Sequence, residues 1–300
     1  MGGVVELWPE HLPFLERSFA GRTDELLEVS DALAKAAIAL TSDSDTGLEA
    51  FCEDYKFMCQ DIVLPEELYF RRHGSYRAKT FEEANRECYS NGAFMARYMN
   101  GLLVSNVMWS NHAQAFSAFV NGYLPSLKPG SRHLEIGPGH GLFLQYAAQS
   151  SQVASLTGWD VSPTSIESTR HALSVLGVTK TVDLRLQDLF EVGSPPPGEG
   201  FDSVVMSEIL EHVEDPYAAL RAAAEWLRPG GKIWINVPAN SPAPDHIYLF
   251  TGLEHAAAMT EACGLTVVDQ AAFPMSGATL AQVIKRKQTI SCVITAVKPS

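Results

Sequence analysis

The chain has 300 residues, 46% of them hydrophobic, and a formal net charge of −13; that length suits one full α/β domain plus a smaller attachment. The acidic balance argues against nucleic acid as a partner, because binding a phosphate backbone needs a concentrated basic surface, and no apolar run approaches membrane length. The five cysteines, at 52, 59, 88, 263 and 292, form no Cys-x-x-Cys pair, so neither a metal site nor a disulfide framework is expected.

In chain order, Met1-Gly-Gly-Val-Val-Glu-Leu-Trp-Pro lacks the basic flank and long apolar core of a secretory signal, and Glu6 breaks the myristoylation pattern. A reduced cytoplasm is the expected location. Residues 1–125 carry helix-period patterns and no convincing alternating strand. Leu26, Val29, Leu33, Ala37 and Leu40 share one helical face. Thr80-Phe-Glu-Glu83 has the form of a capping box. Ser110 or Asn111 is read as the N-cap of a further helix. The boundary is placed at Pro125-Ser-Leu-Lys-Pro-Gly130, so that residues 1–125 form a helical cap and 126–300 an α/β domain. Beyond it, Ser162-Pro163 and Asp215-Pro216 look like N-caps with first-turn prolines. Ser194-Pro-Pro-Pro-Gly198 reads as a surface loop. Thr251-x-x-Glu254 should open a helix that Gly264 closes, and final strands are expected at 265–272 and 290–297.

The most informative stretch is Leu134-Glu-Ile-Gly-Pro-Gly-His-Gly141, in which three glycines alternate directly after a short apolar run. Glycines at 137, 139 and 141 let the backbone turn sharply and admit a ligand without a Cβ in the way. A second apolar run ends at Asp160, about 20 residues on, where doubly wound folds place the acid that accepts ribose hydroxyls. The dinucleotide fingerprint wants its third glycine one residue later, where Leu142 stands, which weakens an NAD or FAD reading.

With Glu135 and the three glycines, the sequence resembles the class I S-adenosylmethionine-dependent methyltransferases. Gln187-Asp188-Leu189-Phe190, Phe201–Ser207 with Glu208-Ile-Leu-Glu-His212, and Leu227–Pro238 follow in the family's order. The resemblance implies a Rossmann-like seven-stranded sheet under an N-terminal helical cap, S-adenosylmethionine as methyl donor and a small-molecule substrate. It also implies cofactor contacts from Tyr98, Glu135, Gly137, Gly139, Gly141, Asp160, Val161, Asp188, Leu189 and Ser207. Glu135 would receive the ammonium of the methionine moiety, Asp160 the ribose, and Asp188 the adenine.

Methyl transfer asks the protein mainly to align a nucleophile, exclude water and tolerate a cation. Phe94, Tyr98 and Trp109, at spacings of four and eleven, offer aromatic faces to a sulfonium, or else simply pack the cap onto the sheet. Tyr76 and Tyr89 are further candidates. His212 and His246 are candidate bases for a hydroxyl or amine acceptor, with packing as the plainer alternative. Asn111 adds a polar group where the cap meets the sheet, and His140 is read as solvated or facing the substrate. The cap also resembles that of bacterial azetidine-2-carboxylate synthases, in which the cofactor's own amine closes a four-membered ring and methylthioadenosine leaves. A non-catalytic nucleoside-binding protein is a third reading. The oligomeric state is open, a homodimer being one option.

Overall fold

The computed structural model describes residues 1–44, 46–196 and 198–300; Pro197, inside the expected 194–198 loop, lies outside them. Helices fill the first part of the chain: α1 Gly2–Leu7, α2 Leu12–Phe19, α3 Asp24–Ser42, α4 Gly47–Phe57, α5 Leu64–His73, α6 Phe81–Ala84, α7 Gly92–Met108 and α8 Ser110–Ser117. Thr23 starts α3 by accepting from the Leu26 amide, with Asp24 and Glu25 in the first turn. The helix then buries Val29, Leu33 and Ala37, while Leu26 and Leu40 are half-buried at the edges of the same stripe.

Three wide helical turns, Met58–Val63, Asn85–Tyr89 and Ala118–Tyr123, have π geometry and interrupt this run. The last brings Tyr123 against the sheet, where its hydroxyl meets Ser203 Oγ at 2.8 Å and the Lys232 carbonyl at 3.0 Å.

From residue 131 the chain alternates: β1 Ser131–Ile136, α9 Leu142–Gln149, β2 Val153–Asp160, α10 Pro163–Val175, β3 Val182–Leu186, β4 Phe201–Ser207, α11 Pro216–Trp226, β5 Leu227–Ala239, α12 Leu253–Ala262, β6 Thr266–Pro274, α13 Leu280–Arg286 and β7 Ile290–Val297. The sheet order is β3-β2-β1-β4-β5-β7-β6. All pairings are parallel except those of β7, which runs antiparallel between β5 and β6. The order reverses between β1 and β4, so their C-terminal ends flank the crevice where open α/β sheets bind ligands.

Alternation along the central strands builds two cores. Leu134, Ile136, Val204, Met206, Ile233 and Ile235 face α11 and α12, while Val205 and Trp234 face Phe119, Tyr123 and α9. A third core fills the cap and includes Leu142 at the start of α9, so cap and sheet share packing at the glycine turn.

Ser162 and Asp215 cap α10 and α11 as their sequence suggests, accepting from the Ser165 and Ala218 amides. Three capping expectations need correction. Thr80 accepts from the Glu83 amide, but Glu83 reaches back to the Lys79 amide, so the box is not reciprocal. The helix expected from Thr251 starts after Gly252, and Thr251 pairs with His255 instead. The N-cap of α8 is Trp109, with no side-chain cap bond; Ser110 holds Gln114, and Asn111 points inward.

Candidate functional site

The turn after β1 has φ of 66° at Gly137, 50° at Gly139 and 69° at Gly141, the left-handed region that disfavours side chains. The glycines serve different ends. A Cβ on Gly137 would lie 2.1 Å from Ile209 Cδ1, so this glycine lets the segment after β4 close against the turn. A Cβ on Gly139 would meet nothing within 4 Å, so at this glycine it is the backbone conformation and not crowding that disfavours a side chain. The Gly139 carbonyl is held by Thr169 Oγ1 of α10 at 2.7 Å.

Glu135, one pleat before the turn, is 2% exposed; burial pushes its carboxyl well above the usual range, opposed by the Leu144 amide. Its Oε2 has no partner, a cost that a cationic ligand group would offset. At the end of β2, Asp160 accepts from the Ser162 amide at 2.8 Å, and burial raises its carboxyl too. Asp188 accepts from the Phe190 amide at 2.8 Å. Val161 is exposed beside this edge, whereas the Leu189 side chain is buried in the sheet core, so only its main chain can meet a ligand. Together these groups fit a nucleoside bearing an ammonium and a diol.

On the other side of the crevice, β4 and β5 end in strained residues: Glu208 has φ 55° and Asn240 φ 49°. Asn236 Nδ2 donates to Ser207 Oγ at 3.1 Å and to Glu208 Oε1 at 3.0 Å. The Glu211 carbonyl accepts from the amides of Ile247 and Tyr248, which fastens the loop after β5 to the turn at 210–212. That pairing places His212 and His246 at right angles, ring centroids 5.0 Å apart.

His212 Nδ1 lies 3.0 Å from the Asp245 carbonyl and 3.2 Å from the Tyr89 hydroxyl. His246 Nδ1 lies 2.6 Å from the Ser241 carbonyl, and burial lowers its pKa to about 4. From the cap, Tyr89 and Tyr98 donate to the two carboxylate oxygens of Asp245, at 3.3 and 3.4 Å. Tyr76, 1% exposed, accepts from the Ser241 amide at 3.0 Å, and its ring stands 5.8 Å from that of His246.

Thus Tyr76, Tyr98, His212 and His246 come together, and Tyr89 joins them. Trp109 and Asn111 do not. The Trp109 indole donates to Tyr55 at 3.0 Å, and that hydroxyl also meets His11, so Trp109 belongs to the interior of the cap. Asn111 donates to Ser291 Oγ of β7 at 2.9 Å. Phe94 packs on Phe57 and Tyr98. His140 is half-buried against the Met99 carbonyl of α7, with a pKa pulled down to about 4 by burial, and it ties turn to cap.

Sequence reading missed Glu208, Glu211 and Asp245. The spacing Glu208, Glu211, His212 was a usable signal, since i, i+3 and i+4 positions share a side of a helical turn. Asp245 reaches the group only through the fold of the loop. The reading also expected no metal, yet Glu211, His212 and His246 each present a ligand atom, all within 4.8 Å of one another.

A family model described as a methyltransferase domain matches residues 108–286. A ubiquinone biosynthesis O-methyltransferase of Xanthomonas campestris pv. campestris is 36% identical over 115 residues, 38% of this chain and 46% of that protein. The Xanthomonas euvesicatoria pv. vesicatoria protein of the same name is 38% identical over the same shares. The chain thus spans about half the length of the curated relatives it matches. Among solved structures, the [4+2]-cyclase SpnF superposes with a TM-score of 0.50 at 18% identity, over 63% of this chain and 83% of that one. A methyltransferase structure from Bacillus halodurans gives 0.50 at 14% identity, over 61% and 98%. Strand order, glycine turn and family match agree, and the chain belongs to the class I S-adenosylmethionine-dependent methyltransferases.

Proposed function

We propose that this enzyme methylates a small molecule of specialised metabolism, taking the methyl group from S-adenosylmethionine, with an oxygen as acceptor atom. The oxygen is favoured by the O-methyltransferase activity named for the Xanthomonas proteins. The observation that carries the reading is the pair of features at the C-terminal ends of the strands: a Glu135 oxygen without a partner just before the glycine turn after β1, and a polar group on the loops after β4 and β5 that Tyr76, Tyr89 and Tyr98 of the cap contact.

In this reading Glu135 holds the ammonium, Asp160 the ribose hydroxyls, and Asp188 with the Leu189 main chain the adenine, while Val161 lies along the ring. Ser207 and Tyr98 border the reacting end. The sulfonium supplies an activated methyl carbon; the protein aligns the acceptor and keeps water out. Tyr76, His212 and His246 lie on the acceptor side, and His246, neutral at pH 7, has a lone pair to offer.

The test is incubation with S-adenosylmethionine, with and without a panel of phenols and catechols. S-adenosylhomocysteine formed only with an acceptor supports the reading. Methylthioadenosine formed without one would replace it with intramolecular cyclisation. Tight binding with no product from either arm would leave a non-catalytic protein.

A further inference from the structure

The acceptor side contains a group that a simple histidine base does not explain. Glu211 is 0% exposed, and its carboxylate oxygens receive no hydrogen bond from another residue's amide, hydroxyl, lysine or arginine, its one close polar neighbour besides His212 being the Glu208 carboxyl. Among the described residues, no lysine or arginine nitrogen pairs within 4.0 Å with Glu208, Glu211 or Asp245; only His212 does, 3.6 Å from Glu211 Oε1 and 3.6 Å from Asp245 Oδ2. Three acids thus converge with no cation to offset them. An unpaired buried carboxylate costs several kcal/mol and persists where something else compensates it.

The histidines show what that is. A backbone carbonyl can only accept, so the contacts of His212 Nδ1 with the Asp245 carbonyl and of His246 Nδ1 with the Ser241 carbonyl place the proton on Nδ1 in both rings. Each Nε2 is then left with a lone pair. Anchoring one imidazole nitrogen on a carbonyl while the other stays free is how proteins orient metal-ligating histidines. Both anchoring carbonyls belong to the loop after β5, which the Glu211 carbonyl itself fastens, so the group is assembled by one set of backbone bonds. Glu208 is otherwise engaged, its Oε1 held by Asn236.

We propose that Glu211, His212 and His246 bind one divalent first-row transition ion. Two imidazoles and a carboxylate suit Zn²⁺, Mn²⁺, Fe²⁺ or Co²⁺ better than Mg²⁺ or Ca²⁺, which prefer oxygen alone. Three protein ligands leave open positions, as catalytic sites require. Ile209, between Glu208 and Leu210, packs on Gly137, so the ion sits beside the cofactor turn. Resting on the methyl-transfer reading, its role is to bind the acceptor oxygen. Coordination lowers the hydroxyl pKa and its proton passes to solvent. An oxygen lone pair then forms the bond to the methyl carbon as the carbon–sulfur bond breaks, and that electron pair returns to sulfur.

The test is titration of chelator-stripped protein with CoCl₂, followed by calorimetry and visible absorption, with S-adenosylhomocysteine affinity and circular dichroism measured in parallel. The expected result is one saturable Co²⁺ site with ligand-field bands, displaced by ZnCl₂. Glu211→Gln and His246→Ala should each weaken Co²⁺ binding by about tenfold or more while the protein stays folded and binds S-adenosylhomocysteine. His246→Gln provides a second variant of matching size if the alanine form unfolds. Absence of saturable Co²⁺ binding by protein that binds S-adenosylhomocysteine, or unchanged Co²⁺ affinity in the folded variants, overturns the metal site alone. The methyl-transfer reading fails separately, in the product assay above.

Discussion

Glu135 is unfavourable for the fold and useful to a ligand, and a single substitution separates the two. Burial favours the neutral form of the carboxyl, and Oε2 has no partner among the described residues. Glu135→Gln keeps the shape and removes the charge that would answer an ammonium. S-adenosylhomocysteine affinity should fall about tenfold to a hundredfold, the worth of a hydrogen bond to a charged group, as read by calorimetry. Unfolding in urea should show equal or greater stability, because the cost of a buried carboxyl is relieved. A variant that binds as tightly as the parent would remove Glu135 from the ammonium site. The residue was legible because it stands at a fixed place before three glycines. Glu211 was not, because its significance lies in the partners it lacks, and a sequence does not display these.

At the scale of elements, α7 carries much of the cap. It packs on α4, and Gly101 sits at the crossing: a Cβ there would lie 2.7 Å from Met58 Cβ and 3.0 Å from the Asp54 carbonyl. Backbone atoms do not yield as a side-chain tip does, so Gly101→Ala should destabilise by about 1–3 kcal/mol despite alanine's better helix propensity. Chemical denaturation measures this, and an unchanged midpoint would show that α4 and α7 can separate freely. The same helix presents Tyr98 to Asp245, so the Tyr98 hydroxyl should lose its position along with the crossing. Helical periodicity found α3, and paired capping residues found α10 and α11, because those signals are local. The reciprocal box at Thr80 and the cap at Ser110 failed because Glu83 accepts from the Lys79 amide instead of the Thr80 amide, and Ser110 Oγ accepts from Gln114.

For the whole molecule, the buried acids and histidines give stability a direction with pH. In the metal-free protein, burial raises Glu211 well above the usual range and Glu208 to about 8, and it raises Glu135 as well. It lowers His112, His140 and His246 to about 4 and His133 to about 3. As the pH rises past about 6.5 the histidines become neutral whether folded or not, so the carboxyls decide. The folded form holds protons there that the unfolded chain has lost, so stability should fall as pH rises from about 6.5 to 8, by about 1.4 kcal/mol per pH unit for each proton held. From about pH 6.5 down to about 4, unfolding lets the histidines take up protons and their contribution is lost; the carboxyls offset this until about pH 4.5, below which stability should fall as the pH drops towards about 3. Thermal unfolding across pH checks both arms, and a midpoint rising steadily from pH 6.5 to 8 would contradict the first. The sequence alone determined the alternating strands and helices, the glycine turn and the acid at the end of β2, because each rests on residues near one another in the chain. The polar group over the crevice was decided by tertiary structure. Residues 76, 89 and 98 from the cap meet 212, 241, 245 and 246 only because backbone bonds fasten two distant loops and the cap packs over them, and contacts of that range leave no periodicity to read.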